Sequence, residues 1–211
     1  MYLKQARTNI VICINNYTMI KNASFYIKPV LALLFVLLLS NFNALAQKTN
    51  VWIVSNAEKE RGMDALSDTG KDRAEALFKT LRHDDIQTIY ITPKHVSAQM
   101  AEPLATHEKI LPRVYTDSVQ KFAEIIKLNF IGKNVLIIAS YDMVVPLVSA
   151  LGGESPFDAL DRGDHDQIFC LTLKTSGDVD CIVRYYGKKH HVNNIPQSDI
   201  LDNYSQGVPG H

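Results

Sequence analysis

The sequence predicts an α/β domain: a doubly wound, mostly parallel sheet with helices on both faces and a C-terminal β-hairpin. Three observations carry this expectation. From Val51 onward, short apolar runs alternate with segments whose apolar residues recur at helical spacing. The run VLIIAS, Val135 to Ser140, is the most apolar of them, as a central parallel strand buried on both faces requires. Finally, the stretch from about Gln167 to Tyr186 reads as two short strands around a Gly-containing turn, so the alternation ends in a hairpin.

Each element follows in order. VWIV, from Val51 to Val54, is a compact strand that runs into a polar loop extending through Asp64. Ser67 is placed to cap a helix whose inner face is Ala74, Leu77, Phe78 and Leu81. TIYIT, from Thr88 to Thr92, is a second strand closed by Pro93, and a helix follows from about Ser97 to His107. VYT, at Val114 to Thr116, is a short third strand. Asp117 or Ser118 then caps a helix carrying Phe122, Ile125, Ile126 and Phe130. After VLIIAS, a helix buries Val144, Leu147, Val148 and Leu151 before Gly152-Gly153 ends it.

Length and composition suit one ordinary globular domain, with 211 residues, 46% of them hydrophobic and 21% charged. The net charge of zero hides an asymmetry, because residues 1–46 hold four basic residues and no acidic ones. The remainder has 18 basic against 22 acidic residues, which gives nucleic acid and anionic membrane no broad attraction. Within the first segment, Lys21 and Lys28 form a basic flank ahead of a ten-residue apolar run, Val30 to Leu39, and Ala44-Leu45-Ala46 precedes Gln47. This is the three-part pattern of a secretory signal peptide, and the run is shorter than the roughly 20 residues of a membrane span. The expected organisation is a signal peptide over 1–46, with Met1 or Met19 as start, a domain over 47–187 and a flexible tail over 188–211. Cleavage after Ala46 gives a secreted or periplasmic protein without a stable membrane anchor. The two cysteines beyond Ala46 are Cys170 and Cys181, which either pair across the final hairpin or stay as buried thiols.

Ligands of doubly wound sheets sit beyond the carboxyl ends of the strands. That rule singles out three loops: Ser55 to Lys59, Thr92 to Gln99, and Ala139 to Asp142. Around them stand VWIVSNAEK, LSDTGKDRAEAL, IYITPKHVSAQMAEPLA, GKNVLIIAS, VPLVSALGG, and DQIFCLTL followed by VRYYG. In this order and with these gaps, the segments resemble the histidine phosphatase superfamily of phosphoglycerate-mutase-like fold, its small bacterial branch above all. The similarity runs from about Val51 to Gly187.

The resemblance implies a phosphohistidine reaction, and the residues that would perform it are replaced. Family members end the first strand with Arg-His, where this chain has Ser55-Asn56. The family's Arg before its TxQTA segment corresponds to Val96, and its Gly-His after the central strand to Ala139-Ser140. Phosphoryl transfer needs a nucleophile and positive charge on the equatorial oxygens. The amide nitrogen of Asn56 has a delocalised lone pair, Ser55 and Ser140 offer only neutral hydrogen bonds, and Val96 offers none.

The expectation is therefore an exported pseudophosphatase with a binding or scaffolding role. Its crevice, lined by Ser55, Asn56, Val96, Ser140 and Asp142, would be neutral to acidic and suit an unphosphorylated small molecule or a protein. Two alternatives stay open. One is a weak or altered phosphoester hydrolase rebuilt around His95, Lys94 and Glu58, with Lys59 and Asp142 nearby; the other is a cell-envelope interaction protein that does not use the crevice. No cofactor or metal is expected. DRGDHDQ, Asp161 to Gln167, lacks the spacing of a calcium loop and reads as a polar entry to the last hairpin. His190, His191 and His211 in the tail form at most a weak metal cluster.

Overall fold

A computed structural model describes residues 48–192. The expected signal peptide and residues 193–211, including His211, lie outside the described residues. One mixed sheet of six strands has the order β3-β2-β4-β1-β5-β6. The strands are β1 (Thr49–Ser55), β2 (Thr88–Ile91), β3 (Arg113–Val114), β4 (Asn134–Ala139), β5 (Gln167–Leu173) and β6 (Val179–Tyr185). β4 lies between β1 and β2 and is parallel to both, with Ile53 opposite Ile137 and Tyr90 opposite Ile137 from the other side. β5 runs antiparallel to β1, and β6 antiparallel to β5. The helices are α1 (Asp68–Leu81), α2 (His95–Glu108), α3 (Val119–Asn129) and α4 (Tyr141–Leu151).

Side-chain alternation along the central strands feeds two cores. Val51, Ile53, Val135 and Ile137 pack with Phe122 and Ile126 of α3 and with Val144, Leu147 and Val148 of α4. Val54, Leu136 and Ile138 pack on the opposite face with Leu77 and Leu81 of α1 and with Met100 and Leu104 of α2. Helices thus cover both faces, as the unbroken apolar run of β4 requires.

Local signals set most boundaries. Ser67 caps α1 by accepting the Gly70 N–H on its Oγ, and Ser118, rather than Asp117, caps α3 through the Lys121 N–H. α4 ends where Gly152 adopts a left-handed conformation, φ 96°. α2 starts at His95, two residues before the expected Ser97. The Asp64 carboxylate, arriving from the loop after β1, accepts the His95 N–H at 2.7 Å and so supplies the cap from a distance.

The disulfide alternative is corrected by register. Cys181 lies opposite Leu171 and Cys170 opposite Ile182, a slip of one position that sends the two side chains to opposite faces. Both cysteines are free, Cys181 against one core and Cys170 against the other. Burial pushes their thiols up, to about 11 for Cys170 and about 12 for Cys181.

Candidate functional site

The carboxyl ends of β1, β2 and β4 open on a crevice of about 530 Å³. Asn56, Ala57 and Lys59 line it from the loop after β1, and Lys94 from the loop after β2. Ser140, Tyr141 and Asp142 line it from the start of α4, and Arg162 and His165 from the loop before β5.

Asn56, just beyond the end of β1, is tied down on three sides. Its N–H donates to Ala139 O at 2.8 Å, and its Oδ1 accepts from Ser97 Oγ at 2.6 Å. Its own carbonyl accepts from His165 Nδ1 at 2.7 Å. The Ser97 hydroxyl also meets the buried Thr92 hydroxyl, which closes a polar network under the crevice floor. An amide held this way gives the crevice neither a nucleophile nor a cation.

Two of the residues expected to line the crevice do not. Ser55 is only 1% exposed, and its Oγ donates to Asp164 O at 2.5 Å. Val96 has no exposed surface, because the first turn of α2 rests on the sheet and the side chain joins the core.

The rebuilt site around His95 and Glu58 is likewise not assembled. His95 turns toward the loop after β1, where its Nδ1 lies 3.1 Å from Asp64 O, and it lines a separate groove beside α2. Glu58 faces α1, where Arg73 Nε and Nη2 donate to its two oxygens at 2.8 and 2.6 Å. Burial pushes the Glu58 carboxyl up, but the hydrogen bonds and charge of Arg73 outweigh it and hold the group below the usual carboxylate range. A carboxylate with both oxygens on a guanidinium is a structural partner, removed from proton transfer.

Lys94 does enter. Its Nζ donates to Ser140 Oγ at 2.9 Å, bringing an ammonium to the N-terminus of α4. Ser140 is the N-cap residue of α4, but its side chain makes no capping bond. The positive end of that helix therefore faces the same space. Arg162 stands across from it, its Nε donating to the Tyr141 hydroxyl at 3.1 Å and its guanidinium 5.9 Å from the Tyr141 ring centre. With Lys59, Lys94 and Arg162 against Asp142, the crevice is cationic, which corrects the neutral-to-acidic expectation.

His165 completes the wall. A carbonyl can only accept, so the bond to Asn56 O places the ring proton on Nδ1 and leaves the lone pair of the neutral ring on Nε2. Burial holds the imidazole below its ordinary value, with the neighbouring His190 and Arg73 adding to the effect and the Asn56 carbonyl and Glu58 opposing it. Arg162 and His165 both come from DRGDHDQ, whose density of polar residues was the available signal. Arg73 lies inside the quoted LSDTGKDRAEAL segment, where an isolated basic residue on a helix gives no sign of its burial. Among the described residues no group of three or more His, Cys, Asp or Glu side chains is placed to hold a metal. Nor is any described helix long and apolar enough to cross a membrane.

No protein-family model matches the sequence, and no curated protein matches it. Solved structures do. A protein described as mycobacterial hydrolase 1 superposes with a TM-score of 0.52 at 12% identity, over 67% of this chain and 99% of that one. The protein histidine phosphatase SixA, solved with tungstate, gives 0.50 at 17% identity, over 65% and 95%. A mycobacterial glucosyl-3-phosphoglycerate phosphatase gives 0.50 at 14% identity, over 68% and 100%. At such identities the likeness shows architecture alone. The chain has the histidine phosphatase fold, the phosphoglycerate-mutase-like arrangement of sheet and helices.

Proposed function

We propose that the protein is a pseudophosphatase whose crevice binds a small anionic ligand without transferring a phosphoryl group from it. One observation carries the reading: Lys94 donates to Ser140 in a crevice that also holds Lys59, Arg162 and the N-terminus of α4, while the nucleophile position holds a hydrogen-bonded Asn56. The cations attract an anion, and the amide cannot accept a phosphoryl group. The pattern in residues 1–46 supports export with cleavage after Ala46, and N-terminal sequencing of the protein from its native cells tests that part.

Calorimetric titration with inorganic phosphate tests the binding part. The intact protein should show saturable binding that weakens with salt. Lys94→Ala should weaken it about tenfold, the loss of one charge-assisted bond worth roughly 1.5 kcal/mol. The absence of saturable binding would point instead to a protein whose useful surface lies away from the crevice.

His165 favours a second reading, a slow hydrolase, because its neutral ring carries a lone pair beside the cations. Turnover of an aryl phosphate that disappears in His165→Gln would establish it.

A further inference from the structure

Beyond Gly187 the chain turns back over the loop that carries Arg162 and His165. The Arg73 guanidinium starts this path by donating through Nη1 to the carbonyls of Tyr186 at 3.4 Å and Lys188 at 3.2 Å. His190 N and His191 Nδ1 then meet the Asp166 carboxylate. The first lies at 2.8 Å from Oδ2, and the second at 2.9 and 2.7 Å from the two oxygens. The His191–Asp166 pair is secluded, at 7% and 2% side-chain exposure, and the His191 ring stacks on Tyr185 with centres 4.3 Å apart. Val192 N donates to Asp164 Oδ1 at 2.7 Å, and its side chain rests against Gly163.

The same loop residues hold the crevice wall from the other side. Asp164 O accepts the Ser55 hydroxyl at the end of β1, and Asp164 Oδ2 accepts the Asp161 N–H at 2.8 Å. His165 N donates to His190 O at 3.0 Å, while His165 Nδ1 reaches Asn56 O on the crevice floor. The rings of His165 and His190 lie 5.1 Å apart. Asp164 and Asp166 therefore join the strand end, the crevice wall and the returning chain in one hydrogen-bonded unit.

We propose that residues 188–192 form a strap whose docking on Asp164 and Asp166 holds the Arg162–His165 wall in place, so that the C-terminal segment controls the crevice. The control of ligand affinity rests on the anion-binding reading; the hold on the wall does not. Asp164 and Asp166 are positioning residues here, acting through the backbone and side chains of their neighbours. A crevice whose wall is fastened from outside responds to whatever engages or frees the strap, without any change in its own lining.

The test uses a His191→Ala, Val192→Pro double variant, which removes the His191 side chain and the Val192 donor and leaves the cores and the crevice lining intact. NMR titration of the His165 ring reads the wall without a ligand. Release of the strap takes away burial and the neighbouring His190, both of which lower the ring's protonation midpoint, so that midpoint should rise in the variant. Asn56, Glu58 and Arg73, the other groups that act on His165, are unaltered. Phosphate affinity should fall about tenfold in parallel, as expected when a preorganised cation becomes mobile. His191→Asn, which can still donate to Asp166, should restore both.

An unchanged His165 titration in the double variant, with a native spectrum, would overturn the strap. A raised midpoint in a protein that never binds phosphate would sustain the strap's hold on the wall and overturn the functional reading instead. A raised midpoint with undiminished phosphate affinity would overturn the claim of control.

Discussion

Arg73 shows how much one side chain can organise. It is 3% exposed, grips Glu58 with two nitrogens and directs a third to the chain beyond β6. Glu58 belongs to the loop that floors the crevice, so one guanidinium fastens both the loop after β1 and the root of the strap. Breaking a secluded pair by removing one partner leaves an uncompensated charge, and Arg73→Met should cost about 3–5 kcal/mol in urea unfolding. The pH dependence follows from the sign of the Glu58 shift. Its folded value lies below the unfolded one, so its stabilisation is complete above the ordinary value of about 4.3 and is lost as the pH falls through the folded value. Stability of the wild type should therefore drop on acidification through this window, and Glu58→Gln should start lower and drop less. Equal slopes in the two proteins would contradict the assignment. None of this was legible in the sequence, because the burial of an Arg on a mostly polar helix depends on what packs over it.

At the scale of elements, the sequence was more informative about strands and caps than about the site. The apolar run of β4 announced a strand buried on both faces, and Ser67 announced its helix, because both signals act within a few residues. The start of α2 was misplaced because its cap, Asp64, is 31 residues away. The crevice was half legible for the same reason. Topology located its three loops, but whether Lys94 or His95 enters is decided by the Asp64 cap, which turns His95 aside. Val96 and Ser55 occupied the expected positions in the chain and were nevertheless drawn into the interior. The junction of loop and helix near Glu58 also makes a test. A Cβ on Gly70 would stand 2.2 Å from Glu58 O, a backbone atom that cannot move cheaply. Gly70→Ala gains helix propensity of about 0.8–1 kcal/mol, yet a clash this close should cost about 3 kcal/mol and leave a net loss of about 2 kcal/mol in thermal or urea unfolding. A stabilised Gly70→Ala would show that α1 packs less closely on the loop than described.

Taken together, the described residues have the histidine phosphatase fold, with Lys59, Lys94 and Arg162 in the crevice. The fold places helix N-termini and loops around one end of a parallel sheet, and any cation in those loops falls into a shared field. Lys94 reaches that field from the loop after β2 and Arg162 from the loop before β5, and the proposed anion binding rests on these two side chains. Fold and function can separate for a physical reason: a sheet and its cores need only apolar side chains at the right period, whereas phosphoryl transfer through a phosphohistidine needs one imidazole in one place. The measurement that tests this account most directly is phosphorus NMR of phenyl phosphate mixed with the intact protein, followed over hours beside Lys94→Ala and His165→Gln. The account predicts that the ester signal broadens with the intact protein, sharpens with Lys94→Ala, and yields no growing signal of inorganic phosphate. Growth of that signal with the intact protein and its absence with His165→Gln would mean that the crevice is catalytic, and the central claim would fail.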